Sequence, residues 1–67
     1  MKKYLEFKDG KSNKFWEINL KDKQVVTTYG RIGIKNPASK INDFSSIDEA
    51  KKYAESKIRE KTNKGYI

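Results

Sequence analysis

The sequence predicts an α+β fold in which a small antiparallel β-sheet of three or four strands, arranged as a meander, is covered on one face by a single C-terminal α-helix. Before residue 45, apolar and polar residues alternate, which is the period of half-buried strands. After it, apolar residues recur at helical spacing. The turn sequences between the strand segments are short, which favours antiparallel neighbours. We therefore expect residues 1–67 to form one domain.

Four segments have strand character. In chain order they are Tyr4–Lys8, Phe15–Leu20, Gln24–Ile34 and a weaker Lys40–Phe44. The second places Trp16 in phase with Ile18 and Leu20, which predicts that Trp16 belongs to the core. The third is the longest and is rich in β-branched residues. Pro37 lacks the N–H that a central strand requires, so Lys35–Ser39 is predicted to be a loop.

The segment from Ser46 to Gly65 has the start and stop signals of an α-helix. Ser46 and Glu49 fit a capping box, in which each side chain satisfies a free backbone N–H. Gly65 suits the left-handed turn that follows a helix. One apolar stripe recurs between these ends at Ile47, Ala50, Tyr53, Ala54 and Ile58. We expect this stripe to face the sheet.

Composition narrows the classes of function. Sixteen Lys and Arg against nine Asp and Glu give a net charge of +7, which favours a polyanionic partner and nucleic acid above all. The chain has no cysteine and no histidine, so the usual zinc sites and nucleophile–base pairs are excluded. We expect no enzymatic activity, no metal and no cofactor. No apolar run approaches the roughly 20 residues of a membrane span, so we expect no contact with membranes. We also expect the protein to be cytoplasmic and monomeric.

The alternation within Gln24–Ile34 predicts which residues share a face. One set is mostly apolar and should meet the helix: Val26, Thr28, Gly30, Ile32 and Ile34. Tyr29 and Arg31 then point away from the helix, and Phe15 of the neighbouring strand is predicted on the same uncovered face. An aromatic ring beside an arginine suits nucleic acid, because the ring stacks on a base and the guanidinium contacts phosphate. Three lysines are further phosphate candidates: Lys14, Lys35 and Lys40.

Several motifs, in this order and spacing, resemble the WGR domain. They are Asn13–Ile18 (NKFWEI), Thr28–Gly33 (TYGRIG), Lys40–Phe44 (KINDF), Asp48–Lys52 (DEAKK) and Glu60–Tyr66 (EKTNKGY). The resemblance covers roughly Asn13 to Tyr66. This domain occurs in DNA-dependent poly(ADP-ribose) polymerases and in small bacterial proteins. It implies an antiparallel sheet with one helix, and binding of DNA near strand ends.

The resemblance also implies roles for particular residues. In the polymerases, the tryptophan of the motif stacks on the terminal nucleotide, and the arginine contacts DNA and partner domains. Here Tyr29 takes the tryptophan position, Gly30 the glycine and Arg31 the arginine, while Asn13 and Lys14 match an Asn-Lys pair near the DNA in some relatives. Tyrosine departs from the pattern, since a phenol keeps a stacking face but lacks the indole N–H. The polymerase catalytic domain is not part of the match, so no transferase activity is implied.

Three functions remain open at this stage. The first is a DNA-binding module that contacts the phosphate backbone with little sequence specificity. Such a module could also bind duplex ends or 5′-phosphates in particular. The second is a protein-interaction module for an acidic partner surface. The third is single-stranded nucleic-acid binding, with Phe15 and Tyr29 as stacking platforms. The predicted binding residues are Tyr29, Gly30, Arg31, Asn13, Lys14, Phe15, Lys35 and Lys40.

Overall fold

The computed structural model describes residues 1–67 and contains four strands followed by one helix. The elements are β1 (Lys2–Lys8), β2 (Asn13–Lys21), β3 (Gln24–Arg31), β4 (Ala38–Asp43) and α1 (Ile47–Asn63). The strands form one antiparallel sheet in the order β1-β2-β3-β4. The predicted α+β meander with a single C-terminal helix is confirmed, and the sheet has four strands.

The core lies between α1 and one face of the sheet. Its buried apolar side chains are Leu5, Trp16, Ile18, Val25, Ala50 and Ala54. The prediction that Trp16 is a core residue is therefore confirmed. The apolar stripe of the helix was predicted correctly except at Ile47, which is 53% exposed. At that end of the core Phe44 packs on Tyr53 instead, with ring centroids 5.1 Å apart.

The predicted phase of β3 is wrong. Val25 and Thr27 face the helix, with 0% and 8% of their surface exposed, whereas Val26 and Thr28 point to the other face. Thr27 lies directly opposite the buried Ile18 of β2. Because directly opposed residues of an antiparallel pair share a face, this register fixes Thr27 on the helix side. We call the face that α1 covers the helix face, and the other the open face.

The phase of β3 was predicted wrongly because the strand ends earlier than its sequence indicates. The strand ends at Arg31 rather than at Ile34, and a turn follows in which the Ile34 N–H donates to the Arg31 carbonyl at 3.2 Å. Ile34 folds back over the open face, where a Cβ at Gly30 would lie 3.3 Å from its Cγ2 atom. Ile32 and Ile34 are therefore outside the strand, so their apolar character does not indicate its phase. Gly30 lies on the open face and does not meet the helix.

The N-terminus of α1 is capped as predicted by the Ser46 hydroxyl, which accepts the Glu49 N–H at 3.1 Å. The Glu49 carboxylate does not complete a reciprocal box but accepts the Ser45 hydroxyl. This interaction still holds a negative charge in the first turn, where the helix dipole favours it. No helix of the structure combines the length and apolar character that crossing a membrane would require.

The C-terminal tail turns back onto the sheet after Gly65. The glycine has a φ of +102°, a conformation that residues with a Cβ rarely adopt. The turn brings Ile67 alongside β1, where it exchanges two backbone hydrogen bonds with Glu6, of 2.7 and 2.8 Å. Tyr66 packs on Phe7, with ring centroids 5.4 Å apart. The tail therefore satisfies part of the β1 edge and adds an aromatic ring beside the end of α1.

The adjacent valines of β3 test its phase. We expect Val25→Thr to lower the free energy of unfolding by about 1–3 kcal/mol, because it places a hydroxyl in the apolar core. Val26→Thr makes the same chemical change on the open face and should stay within about 0.5 kcal/mol of the parent. Urea unfolding followed by circular dichroism measures both variants. A larger loss of stability in Val26→Thr would contradict the observed phase.

Candidate functional site

A groove of ≈ 320 Å³ lies on the helix face, between the C-terminal half of α1 and the sheet. Its lining residues are Lys14, Phe15, Trp16, Thr27, Tyr29, Gly30, Lys40, Tyr53, Lys57, Lys61 and Tyr66. We call it the aromatic groove. The strands β2, β3 and β4, the helix and the C-terminal tail each supply at least one of these residues, and β1 supplies none.

The rings of the aromatic groove are placed by strand register and by the helix. Trp16 of β2 lies directly opposite Tyr29 of β3, so the two side chains are neighbours on the helix face. Trp16 is buried, whereas Tyr29 is 44% exposed. Tyr53 is anchored by its hydroxyl, which donates to the Asn42 side-chain oxygen of β4 at 3.4 Å. The groove therefore has a fixed aromatic base and one accessible ring.

Four lysines and no carboxylate line the aromatic groove. Two of them, Lys57 and Lys61, lie one helical turn apart on α1 and so project from the same side of the helix. The Lys57 Nζ atom is 5.6 Å from the centre of the Tyr53 ring. The Lys61 Nζ atom is 5.3 Å from the centre of the Tyr66 ring and also approaches Trp16. The rings thus hold the ammonium groups over the groove through cation–π contacts.

The positive charges of the aromatic groove are only partly compensated. Burial lowers the pKa of Lys61, and the charges of Lys64, Lys57 and Lys14 lower it further, while Glu60 acts in the opposite sense. Lys57 and then Lys64 lower the pKa of the Glu60 carboxyl, with which both form salt bridges. An anion that enters the groove would reduce this repulsion among the lysines, so the arrangement favours an anionic ligand.

A second depression, of ≈ 460 Å³, adjoins the aromatic groove and shares Lys14 with it. It is lined by Lys11, Ser12, Asn13, Lys14, Arg31 and Ile32, and we call it the basic depression. Arg31 lies directly opposite Lys14 in the β2–β3 register. The Asp9 carboxylate accepts the backbone N–H groups of Lys11 and Ser12 at 3.2 and 2.7 Å, which holds the β1–β2 turn in place. The two concavities meet at Lys14, and basic residues line both of them.

The open face differs in its electrostatics. Its carboxylates are engaged by neighbours: Glu17 pairs with Lys2 at 3.6 Å, and Glu6 pairs with Lys8 at 3.4 Å. The Tyr4 hydroxyl also donates to Glu6 at 2.8 Å. This hydrogen bond is the main cause that lowers the pKa of Glu6 and raises the pKa of Tyr4. Positive and negative charges therefore offset one another here, unlike on the helix face.

The structure brings four of the eight predicted site residues together on the helix face: Tyr29, Arg31, Lys14 and Lys40. Tyr29 and Arg31 were predicted on the uncovered face, and that prediction is wrong because the phase of β3 is reversed. Phe15 borders the aromatic groove, but its ring lies on the open face. Its ring stacks on Tyr4 of the open face, with centroids 5.8 Å apart and planes at 15°. The rings of Phe15 and Tyr29 therefore lie on opposite faces of the sheet and do not form one continuous stacking surface.

The other predicted residues have mixed positions. Asn13 lines the basic depression beside Lys14. Gly30 borders the aromatic groove, although the position of its missing side chain faces Ile34 and Pro37 on the open side. Lys35 is exposed in the turn after β3 and lines neither concavity.

Sequence reasoning missed the contribution of the helix to this site. Tyr53, Lys57 and Lys61 are spaced four residues apart, which places them along one side of α1. That spacing is visible in the sequence and could have indicated the lysines. The position of Tyr66 depends on the turn at Gly65 and on the packing against Phe7, which spacing alone does not reveal.

Comparison with known proteins agrees with this architecture. Residues 1–67 match the family model described as the WGR domain. A protein from Bacteroides fragilis, known from its crystal structure, is similar to the chain with a TM-score of 0.94 and 42% sequence identity. The match covers 100% of this chain and 19% of that protein. No curated protein matches the chain. Because the family match extends over every residue, the chain belongs to the WGR domain family, whose members are nucleic-acid-binding modules.

Proposed function

We propose that this chain binds DNA without catalysis, by placing the sugar–phosphate backbone along the aromatic groove and the basic depression. The observation that carries the proposal is the lining of the aromatic groove, with four lysines, several aromatic rings and no carboxylate. On the open face, by contrast, the lysines and carboxylates pair with one another. Nucleic acid is the polyanion that also offers flat apolar rings for stacking, so it suits both features of the groove.

Phosphate contacts would supply most of the affinity. Lys14 belongs to both concavities, so a strand that leaves the aromatic groove past Lys14 enters the basic depression and reaches Arg31. The planar guanidinium of Arg31 can form two parallel hydrogen bonds to phosphate oxygens, while the lysines act as point charges. Contacts of this kind depend little on base sequence. We therefore propose low sequence specificity.

Tyr29 supports a finer proposal, that the module favours DNA ends. Tyr29 is 44% exposed and lies directly opposite the buried Trp16, which packs against one side of it. A ring held in this way can stack on the terminal base of a duplex, where one face of the base pair is free. A 5′-phosphate on the same end would then lie within reach of the groove lysines.

An acidic protein surface is the second candidate partner, since it could contact the same lysines and Arg31. The aromatic groove favours nucleic acid over this alternative, because carboxylate side chains do not require accessible stacking rings. The two candidates differ in a measurable way: a duplex without protein partners should bind at low salt only if the DNA-binding proposal is correct.

The helix offers a charge-matched test of the groove. The double variant Lys57→Gln/Lys61→Gln removes two groove lysines, whereas Lys51→Gln/Lys52→Gln removes two exposed lysines of α1 that line neither concavity. On short duplex DNA we expect the first variant to bind more weakly. Its slope of log affinity against log salt should decrease by about 0.9 for each phosphate that the variant no longer neutralises. Fluorescence anisotropy at several salt concentrations measures both quantities.

The Lys51→Gln/Lys52→Gln control has the same net charge as the groove variant. Comparing the two therefore separates binding in the groove from general electrostatic attraction. We expect the Lys51→Gln/Lys52→Gln variant to keep most of the parent's slope, because its lysines do not contact phosphate. Equal reductions of affinity in the two double variants would contradict the groove. The absence of DNA binding by the parent at low salt would overturn the proposed function and favour an acidic protein partner.

Tyr29 and Tyr4 test the stacking contact. They are exposed to similar extents, 44% and 49%, on opposite faces of the sheet. We expect Tyr29→Ala to weaken binding to a blunt duplex by roughly 1–3 kcal/mol, which is the range for removal of a base–aromatic stack. Tyr29→Trp should strengthen it, since indole has the larger stacking face. Tyr4→Ala should leave the affinity unchanged, and equal effects of the two alanine variants would rule out a specific role for Tyr29.

A further inference from the structure

Tyr29 differs from the other rings that line the aromatic groove, because its ring has no partner. A lysine ammonium group of α1 lies over each of three groove rings, those of Trp16, Tyr53 and Tyr66. The ring of Phe15 stacks on Tyr4 at the open face. No ammonium group lies over Tyr29, and no other ring stacks on it, although the residue is exposed. Tyr29 is therefore the groove ring that is free to receive a base.

The helix limits what can lie on Tyr29. Trp16, directly opposite it on the neighbouring strand, is only 3% exposed because α1 covers it. Neighbouring strands are about 4.7–4.9 Å apart, so α1 begins roughly one strand spacing from Tyr29. An α-helix with its side chains is about 10–12 Å thick and stands well above the sheet. A base pair with its two backbones is too wide for the space beside this wall, whereas a single nucleotide fits there.

The volume of the groove agrees with a ligand of this size. It is ≈ 320 Å³, which is at the lower end of the roughly 300–1,000 Å³ of sites that enclose one small molecule. One base with its sugar belongs to this size class, and a base pair with two backbones does not.

Basic residues lie on both sides of Tyr29 along β3. Arg31, two residues after Tyr29, is directly opposite Lys14. Thr27, two residues before Tyr29, is directly opposite Lys40. Residues two apart share a face and are about 6–7 Å apart along the strand, so cations flank the ring in both directions. A nucleotide within a strand has a phosphate on each side of its sugar, and this spacing can serve both phosphates.

We propose that the aromatic groove binds one unpaired nucleotide, so that the preferred ligand is a duplex end with a single-stranded overhang. The inference rests on the proposed function and names its substrate class. The unpaired base stacks on Tyr29, and its phosphates contact the cations on either side. A blunt duplex reaches the same position only when its terminal base pair opens, which costs stacking and pairing energy. The nucleotide of an overhang is already unpaired and avoids this cost.

The test compares three duplexes with the same paired sequence and a terminal phosphate, by fluorescence anisotropy at low salt. The first is blunt, the second has one unpaired nucleotide, and the third has a tetrahydrofuran unit without a base in place of that nucleotide. The unpaired unit is placed at the 5′ end in one series and at the 3′ end in another. In at least one series we expect the unpaired nucleotide to strengthen binding about tenfold over the blunt duplex, the factor that corresponds to one step of DNA stacking. The base-free unit carries the same phosphates and should lose most of this gain.

Variants of the chain identify the ring that binds the base. We expect Tyr29→Ala to abolish the preference for the overhang and Tyr29→Trp to keep or increase it. Tyr4→Ala, on the open face, should leave the preference unchanged. The readout is the ratio of two affinities on the same protein sample, so a partly unfolded variant does not alter it.

The outcomes separate this inference from the proposed function. Equal affinity for blunt and overhanging duplexes in both series overturns the inference, as does an equal gain from the base-free unit or a preference that persists in Tyr29→Ala. In each of these cases the chain still binds DNA and the proposed function stands. If none of the duplexes binds at low salt, the proposed function fails and the inference fails with it.

Discussion

The pairing of β2 with β3 is the constraint on which both the core and the candidate site depend. Its register places Thr27 opposite Ile18 and Tyr29 opposite Trp16. Because side chains alternate between the faces of a sheet, burial of Ile18 and Trp16 under the helix also directs Thr27 and Tyr29 to that side. A shift of one residue would move Tyr29 to the open face and dismantle the aromatic groove.

The helix links the core to the site through a change in side-chain size. Ala50 and Ala54 are fully buried, and their small side chains allow α1 to pack closely on the sheet. Farther along the helix, Lys57 and Lys61 replace them at the border of the sheet, where longer side chains leave space for the aromatic groove. The same element therefore closes the core at one end and supplies ammonium groups at the other. In so small a domain, one helix face contributes to both stability and ligand binding.

Much of the fold could be predicted from the sequence, because its signals are local. The alternation around Trp16 and the cap at Ser46 depend on neighbouring residues, and the structure confirms both. The face of Tyr29 could not be predicted in the same way. It depends on where β3 ends, and the turn after Arg31 moves Ile32 and Ile34 out of the strand. Two of the apolar residues that indicated the phase, Ile32 and Ile34, thus lie beyond the end of the strand.

Only part of the candidate site could be predicted, because the rest depends on how the helix packs on the sheet. The motif around Tyr29 identified the strand that supplies it, and the predicted phosphate candidates Lys14 and Lys40 lie in the lining of the groove. The helix lysines were overlooked because a search for the apolar stripe treats charged positions as solvent-exposed. Only the packing of α1 on the sheet shows that Lys57 and Lys61 border a concave surface rather than bulk solvent.

We propose that DNA contacts the helix face and not the open face, which chemical-shift mapping by NMR can distinguish. A ¹⁵N-labelled sample is titrated with a short blunt duplex at low salt. We expect the largest backbone amide shifts at Lys14, Tyr29 and Lys61, with little change at Tyr4 and Val26. Shifts concentrated at Tyr4 and Val26, with the groove residues unaffected, would contradict it.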